Sequence, residues 1–248
     1  MSQQKKPSTS SPSTRTATAR ATAERMAAAR KPKSKLVIAI LVAVFAVIVA
    51  AIAIIAVSVT QSIDRTSTAA EGAAVVRENS HVLDEAPDGK VTLVEFLDFE
   101  CEACGAFYPY VEQFREDYAG QITFVTRYFP IPSHQNSRTA AVAVEAASQQ
   151  DKFEEMYKMM FETQSAWGEN QTSQAPLFRT YAEQIGLDLE AYDQAVADPA
   201  TLERVLQDYD EGIALGVDST PTFFLNGEKM TIDSLEGFRA QLDAALAQ

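Results

Sequence analysis

Two cysteines, two histidines and one tryptophan are all that this chain of 248 residues contains of those types, and each scarcity closes off a kind of chemistry. A closed structural zinc site needs four nitrogen or sulfur ligands, and His81 and His134 stand apart, without the paired spacing of a zinc finger. No glycine-rich nucleotide loop is present, and no resident cofactor is indicated. Positive charge is scarce too: the net charge is −13, and basic residues concentrate only at the start of the chain, so no nucleic-acid-binding face appears beyond that tail.

The two cysteines that do occur sit together, in Cys101-Glu102-Ala103-Cys104. Closing so short a loop removes little entropy from the unfolded chain, about 2 kcal/mol in the chain-entropy model, so a structural staple explains the pair poorly. Redox chemistry explains it better than half of a zinc site does. The pair also falls where a strand-like run gives way to a helix-like one.

Charge and hydropathy divide the chain into four parts. Residues Met1 to Lys35 hold nine Lys/Arg against one acid, Glu24, with almost no large apolar side chain, and so predict a disordered basic tail over 1–35. Its basic groups would either bind anionic lipid head groups or serve only to set topology. Leu36 to Val59 is an uncharged run of 24 residues; as a helix it spans about 36 Å, more than the roughly 30 Å of a bilayer core. An uncleaved anchor over 36–59 fits this length better than a signal peptide, whose apolar region is shorter. Lys31, Lys33 and Lys35 on the N-terminal side predict a single-pass cell-membrane protein with a cytoplasmic N-terminus and an extracytoplasmic acidic domain. Disulfides persist in that compartment. A small polar spacer over 60–80 leads to a domain over 81–248.

In that domain, Val91 to Phe99 is almost continuously apolar, as a strand buried on both faces should be. After the cysteines, Phe107, Tyr110, Val111, Phe114 and Tyr118 predict an amphipathic helix ended by Gly120 and kinked at Pro109. Gln121 to Phe129 is a second strand, which makes a parallel βαβ unit. About 80 residues of helical pattern follow. Phe153, Met156, Tyr157, Met160 and Phe161 form one core stripe, and Leu202, Val205, Leu206, Tyr209 and Ile213 another, the latter begun by an Asp198 cap and Pro199. Trp167 is assigned to the core. Thr222 to Leu225, Asn226-Gly227 and Glu228 to Ile232 predict a hairpin with a type I′ turn, and a last helix starts near Ser234.

Taken in order, Glu95, Cys101-Glu-Ala-Cys104-Gly105, Tyr128-Phe-Pro130 and Gly216-Val-Asp-Ser-Thr-Pro-Thr-Phe-Phe-Leu-Asn-Gly227 resemble the DsbA-like thiol:disulfide oxidoreductases. The resemblance covers about Val82 to Ala247. It implies an α/β thioredoxin fold with an inserted helical domain at about 134–215, here preceded by one transmembrane helix. Cys101 would then be the nucleophile at a helix N-terminus, Cys104 the resolving thiol, and Cys101-Cys104 the redox-active disulfide.

Glu95 in an apolar strand should have a raised pKa suited to proton transfer with Cys104; the competing reading is a carboxylate satisfied by a lysine or a buried water. Thr220-Pro221 resembles the family's cis-proline loop, whose backbone would dock an extended substrate segment. His134 would either sit beside the redox site or cap the next helix.

The resemblance departs at the middle dipeptide. Strongly oxidising members have Pro-His there, whereas this chain has Glu102-Ala103, and Asp98, Glu100 and Glu102 are expected to raise the Cys101 pKa and make a milder oxidant. The implied function is disulfide formation in exported proteins that carry cysteine thiols. Reoxidation would come from a quinone-linked membrane partner of the DsbB or vitamin K epoxide reductase kind. A reductase or isomerase, and a non-catalytic peptide-binding module, remain as alternatives.

Overall fold

A computed structural model describes residues 38–53 and 73–248, and the chain divides into two units, Met1–Gln61 and Ser62–Gln248. In the first unit, residues 38–53 are helical, with large apolar side chains such as Leu41, Phe45 and Val47 exposed. Among the described residues no helix is long and apolar enough to cross a membrane. Both ends of the apolar stretch 36–59 lie outside the described residues, as does all of the basic tail 1–35 and the spacer up to residue 72.

The second unit is built on a five-stranded sheet in the order β1-β3-β2-β4-β5, from β1 (His81–Asp84), β2 (Thr92–Leu97), β3 (Thr123–Tyr128), β4 (Thr222–Leu225) and β5 (Glu228–Lys229). β2 and β3 run parallel and the other pairs antiparallel. The parallel pair is joined by helix α1 (Glu102–Asp117), so the expected βαβ unit is present. Between β3 and β4 lie α2 (Ser137–Ser148), α3 (Phe153–Glu162), the single turn α4 (Gln164–Trp167), α5 (Ala175–Gln184), α6 (Leu189–Ala197) and α7 (Pro199–Ala214); α8 (Leu235–Leu246) closes the chain.

Strand alternation gives the sheet two different faces. Leu93 and Leu97 with Phe124 and Tyr128 point into the larger core, among Phe114 of α1, Met156 and Tyr157 of α3, and Phe238 of α8. Val94 and Phe96 with Val125 and Phe129 point into a smaller core closed by Val217, Phe224 and Tyr209. Burying a phenylalanine such as Phe96 stabilises the fold by about 2–3 kcal/mol relative to leaving it in water. Gly212 of α7 packs so tightly here that a Cβ would fall 2.8 Å from Phe129 and 3.2 Å from Phe96.

Several local signals hold. Asp198 caps α7 by accepting from the Ala200 N–H, Ser234 caps α8, and Asn226 and Gly227 have the positive φ angles of a type I′ turn. Trp167 is fully buried and donates to the Met160 carbonyl at 3.3 Å.

Other expectations need correcting. Tyr110 and Ile213 are exposed, and the buried side of α7 is instead Thr201, Val205, Asp208, Glu211 and Gly212. The cause is Arg127 on β3, which is fully buried and donates to Asp208 and Glu211, each at 2.6 Å. Arg127 also donates to the carbonyls of Ala74 and Val75, at 2.9 and 3.0 Å, and so ties the chain before β1 to the domain. β5 stops at Lys229 rather than running to Ile232, and β1 is an edge strand that the apolar pattern did not reveal.

Candidate active site

β2 delivers the chain through Asp98, Phe99 and Glu100 to Cys101, which is the N-cap residue of α1. Its backbone is extended (φ −68°, ψ 120°), its N–H donates to the Asp98 carbonyl at 3.1 Å, and its own carbonyl accepts the Gly105 N–H at 3.0 Å. The thiol thus occupies the place a serine or aspartate takes in an ordinary cap, facing the unpaired amides of the first turn. Cys104 lies one turn on. Both thiols are free, with Cys101 8% exposed and Cys104 fully buried.

The two thiols are electrostatically unlike. Cys101 is lowered from 9.0 to about 5, chiefly because the Cys104 thiol donates to it. Burial works against this lowering, while the Thr220 side chain and the backbone N–H groups of Cys104 and Ala103 add to it. Cys104 is pushed well above its ordinary value, first by burial, then by its role as donor to Cys101, then by the charge of Glu95.

Glu95 sits on β2 on the face of the larger core and is raised from 4.5 to about 8, mainly by burial, with Glu112 and Cys101 adding to the shift. No cation stands among the groups that shift it, so a neutralising lysine is not the explanation for this buried acid.

The acidic residues around Cys101 do not act as the sequence suggested. Asp98 accepts from the Glu100 N–H (2.9 Å) and the Ile131 N–H (3.0 Å) and pairs with His134 Nδ1 at 2.7 Å. One oxygen of Glu100 accepts the Asn136 N–H at 2.5 Å, and Glu102 is exposed to water. None of the three figures among the causes that shift Cys101, whose pKa falls instead of rising.

Thr220-Pro221 is a cis peptide, and the Cys101 Sγ–H donates to the Thr220 carbonyl at 3.4 Å. The loop before β4 therefore touches the Cys101 sulfur, 119 residues away in sequence. His134 joins the site through Asp98, and the next helix is begun by Asn136 rather than by His134. Glu102, Ala103 and His134 line a cleft of about 420 Å³ together with Cys101.

One contributor was missed altogether. Gln164, at the start of α4, donates its side-chain amide to the carbonyls of Phe99 (2.8 Å) and Cys101 (2.9 Å), and its Oε1 lies where a Cβ on residue 105 would stand, so Gly105 makes room for it. A lone glutamine after a helix carries no sequence signal of such a bridge. Among the described residues no cluster of three or more His, Cys, Asp or Glu side chains is arranged to hold a metal ion.

A sheet of this order with a dithiol at the N-terminus of the crossover helix, a cis-proline against the outer sulfur and helices inserted before β4 defines a thioredoxin-fold protein of the DsbA-like kind. A family model described as thioredoxin matches residues 81–244, and the chain belongs to that family.

Among solved structures, Wolbachia pipientis α-DsbA1 is 21% identical with a TM-score of 0.60, covering 69% of this chain and 93% of its own. A thioredoxin-like oxidoreductase from Silicibacter pomeroyi DSS-3 is 25% identical with a TM-score of 0.58, over 69% of this chain and 95% of that one. A curated Na(+)/H(+) antiporter NhaA 1 from Mycobacterium sp. (strain KMS) is 36% identical over 157 residues, which are 61% of this chain and 24% of the antiporter. The match thus spans about a quarter of the length of that relative.

Proposed function

We propose that this chain is a membrane-tethered thiol:disulfide oxidoreductase that forms disulfides in exported proteins. The observation that carries the reading is the asymmetry of the two thiols, one held near pKa 5 at a helix N-terminus and the other held neutral above a carboxyl near pKa 8.

In the oxidised enzyme, a client thiolate attacks the Cys101 sulfur, the Cys101–Cys104 bond breaks, and Cys104 leaves with the electron pair. Glu95, largely protonated at neutral pH, gives its proton to the departing Cys104 sulfur. The client's second thiolate then attacks its own sulfur in the mixed disulfide and expels Cys101 as a thiolate. The client leaves oxidised by two electrons, and the enzyme remains as the dithiol.

Stabilising the leaving Cys101 thiolate favours the reduced enzyme and therefore oxidation of the client. A value near 5 falls between about 7 for thioredoxin and about 3.5 for DsbA, which supports a milder oxidant than the Pro-His enzymes. The Thr220 backbone beside Cys101 is the edge on which an extended client segment would pair.

The apolar stretch 36–59, with Lys31, Lys33 and Lys35 before it, supports an anchor that leaves the N-terminus cytoplasmic and the dithiol outside. Tethering would raise the enzyme's concentration beside emerging chains. Each cycle leaves two electrons on the enzyme, so a quinone-linked membrane oxidase of the DsbB or vitamin K epoxide reductase kind is the proposed acceptor. Na(+)/H(+) antiport belongs to relatives that are about four times longer than the matched segment, and it is not carried over to this chain.

Equilibration against a glutathione series tests the direction of the reaction. A potential between about −120 mV, typical of DsbA, and about −200 mV is expected; a value near −270 mV, typical of thioredoxin, makes the protein a reductase.

A further inference from the structure

Cys101 opens into a cleft of about 420 Å³ whose wall includes Glu100, Glu102, Glu169, His134 and Gln171, and no lysine or arginine. Three separate segments build that wall: the turn before α1 with the first residues of that helix, the loop between β3 and α2, and the loop after α4. Glu102 and Glu169 are exposed at its rim, while Glu100 is 2% exposed. One Glu100 oxygen accepts the Asn136 N–H; the other, Oε1, is buried without a hydrogen-bond partner among the described residues. The single histidine in the wall is already paired with Asp98. Thr220, which touches the same sulfur, is not part of this wall, so the cleft is additional to the cis-proline edge.

We propose that this cleft is a client subsite that takes a cationic side chain, lysine or arginine, close to the reacting cysteine. The inference rests on the oxidoreductase reading and names the clients it would favour. Three carboxylates on two segments, Glu100 and Glu102 on one and Glu169 on the other, with a buried Glu100 oxygen that has no partner among the described residues, match the several N–H donors of a guanidinium or ammonium group. They also repel an acidic client segment before its thiol can approach Cys101. A bound metal is the weaker reading, because the described residues offer no cluster of ligating side chains.

The test uses the full chain in detergent micelles and dithiol peptides that differ only in having Lys, Arg or Glu beside the cysteine. Each rate of oxidation is divided by that of the same peptide with a small soluble disulfide, which removes the peptide's intrinsic thiol reactivity. Lysine and arginine peptides should show a normalised kcat/KM roughly tenfold above the glutamate peptide at low salt, and the ratio should shrink as salt is added. Combining Glu102→Gln with Glu169→Gln should bring the ratio to within about twofold of one. Both side chains are exposed, and matching thermal unfolding curves verify the fold.

A ratio near one in the unaltered protein, or one that survives the double substitution, overturns the subsite while leaving the oxidoreductase in place. Failure to oxidise any of the peptides overturns the oxidoreductase reading, and the subsite falls with it. Serine analogues of the peptides, followed by fluorescence anisotropy, should bind in the same order of charge; equal binding counts against the subsite independently of turnover.

Discussion

The two faces of the sheet each bury an ionisable residue, and they treat it in opposite ways. On the smaller core's face, Arg127 is surrounded by two carboxylates and two backbone carbonyls, all within 3.0 Å, and stacks over Phe96 at 5.3 Å. On the larger core's face, Glu95 has no cationic counterpart among the described residues and is kept neutral by burial to about pH 8. One face uses charge to fasten helix α7 and the chain before β1 to the sheet. The other holds a carboxyl whose charge is among the causes that raise the pKa of Cys104.

Substitutions on each face can break this contrast. The largest effect is expected from Cys101→Ala, which should lower oxidative refolding of a reduced client by at least about a thousandfold. Refolding yields equal to those of the unaltered protein would leave a binding module with no chemistry. Next, Arg127→Ala removes the buried cation between Asp208 and Glu211, which keep Arg204 at 2.8 Å and Arg77 at 2.5 Å, and should lower stability by about 3 kcal/mol in urea unfolding. A loss below about 1 kcal/mol would mean that the ion cluster is not the fastening described. Glu95→Gln should do the reverse: stability holds or rises, while the step that releases Cys104 slows by about a hundredfold in stopped-flow measurements. Slowing without any change in the pH profile would remove the proton-transfer role.

The pH dependence sharpens the contrast further. Glu95 has a folded pKa near 8 against 4.5 unfolded, so its contribution to stability is complete below pH 4.5 and is lost as pH rises through 8. Cys101 has a folded pKa near 5 against 9.0 unfolded, so its contribution is present above pH 9 and is lost as pH falls toward 5. In the dithiol protein the two trends oppose each other between pH 5 and 8. In the disulfide protein only the Glu95 trend remains. Urea midpoints should therefore fall more from pH 5 to 8 for the oxidised form than for the reduced form, and parallel curves would refute the assignment. The smallest effect is expected from Val75→Ala, about 1 kcal/mol of stability with unaltered exchange kinetics, because Val75 packs only against the smaller core.

What could be read from the sequence follows the range of the interactions. The strand, the dithiol, the capped helix at Asp198 and the Asn226-Gly227 turn are each dictated within a few residues, and each stands where the pattern placed it. Glu95 was legible because an acid interrupting an apolar strand is anomalous in itself. The polar face of α7 was not, since Asp208 and Glu211 look like solvent-facing residues until Arg127, 81 and 84 positions earlier, is brought against them. The same holds for Asp98, whose carboxylate is engaged by Ile131 and His134, more than 30 residues on. The cis bond before Pro221 was legible only through the family resemblance, because local chemistry does not favour it.

The bridge from Gln164 to the carbonyls of Phe99 and Cys101 carries a consequence for how the protein can be taken apart. The inserted helices supply hydrogen bonds to the very turn that presents the Cys101 sulfur, and Gly105 leaves the space for them. A miniature made by joining β3 directly to β4 would keep every residue of the dithiol motif and lose part of the frame that holds it. The insertion is therefore a component to be carried along whenever this scaffold is shortened, grafted or redesigned.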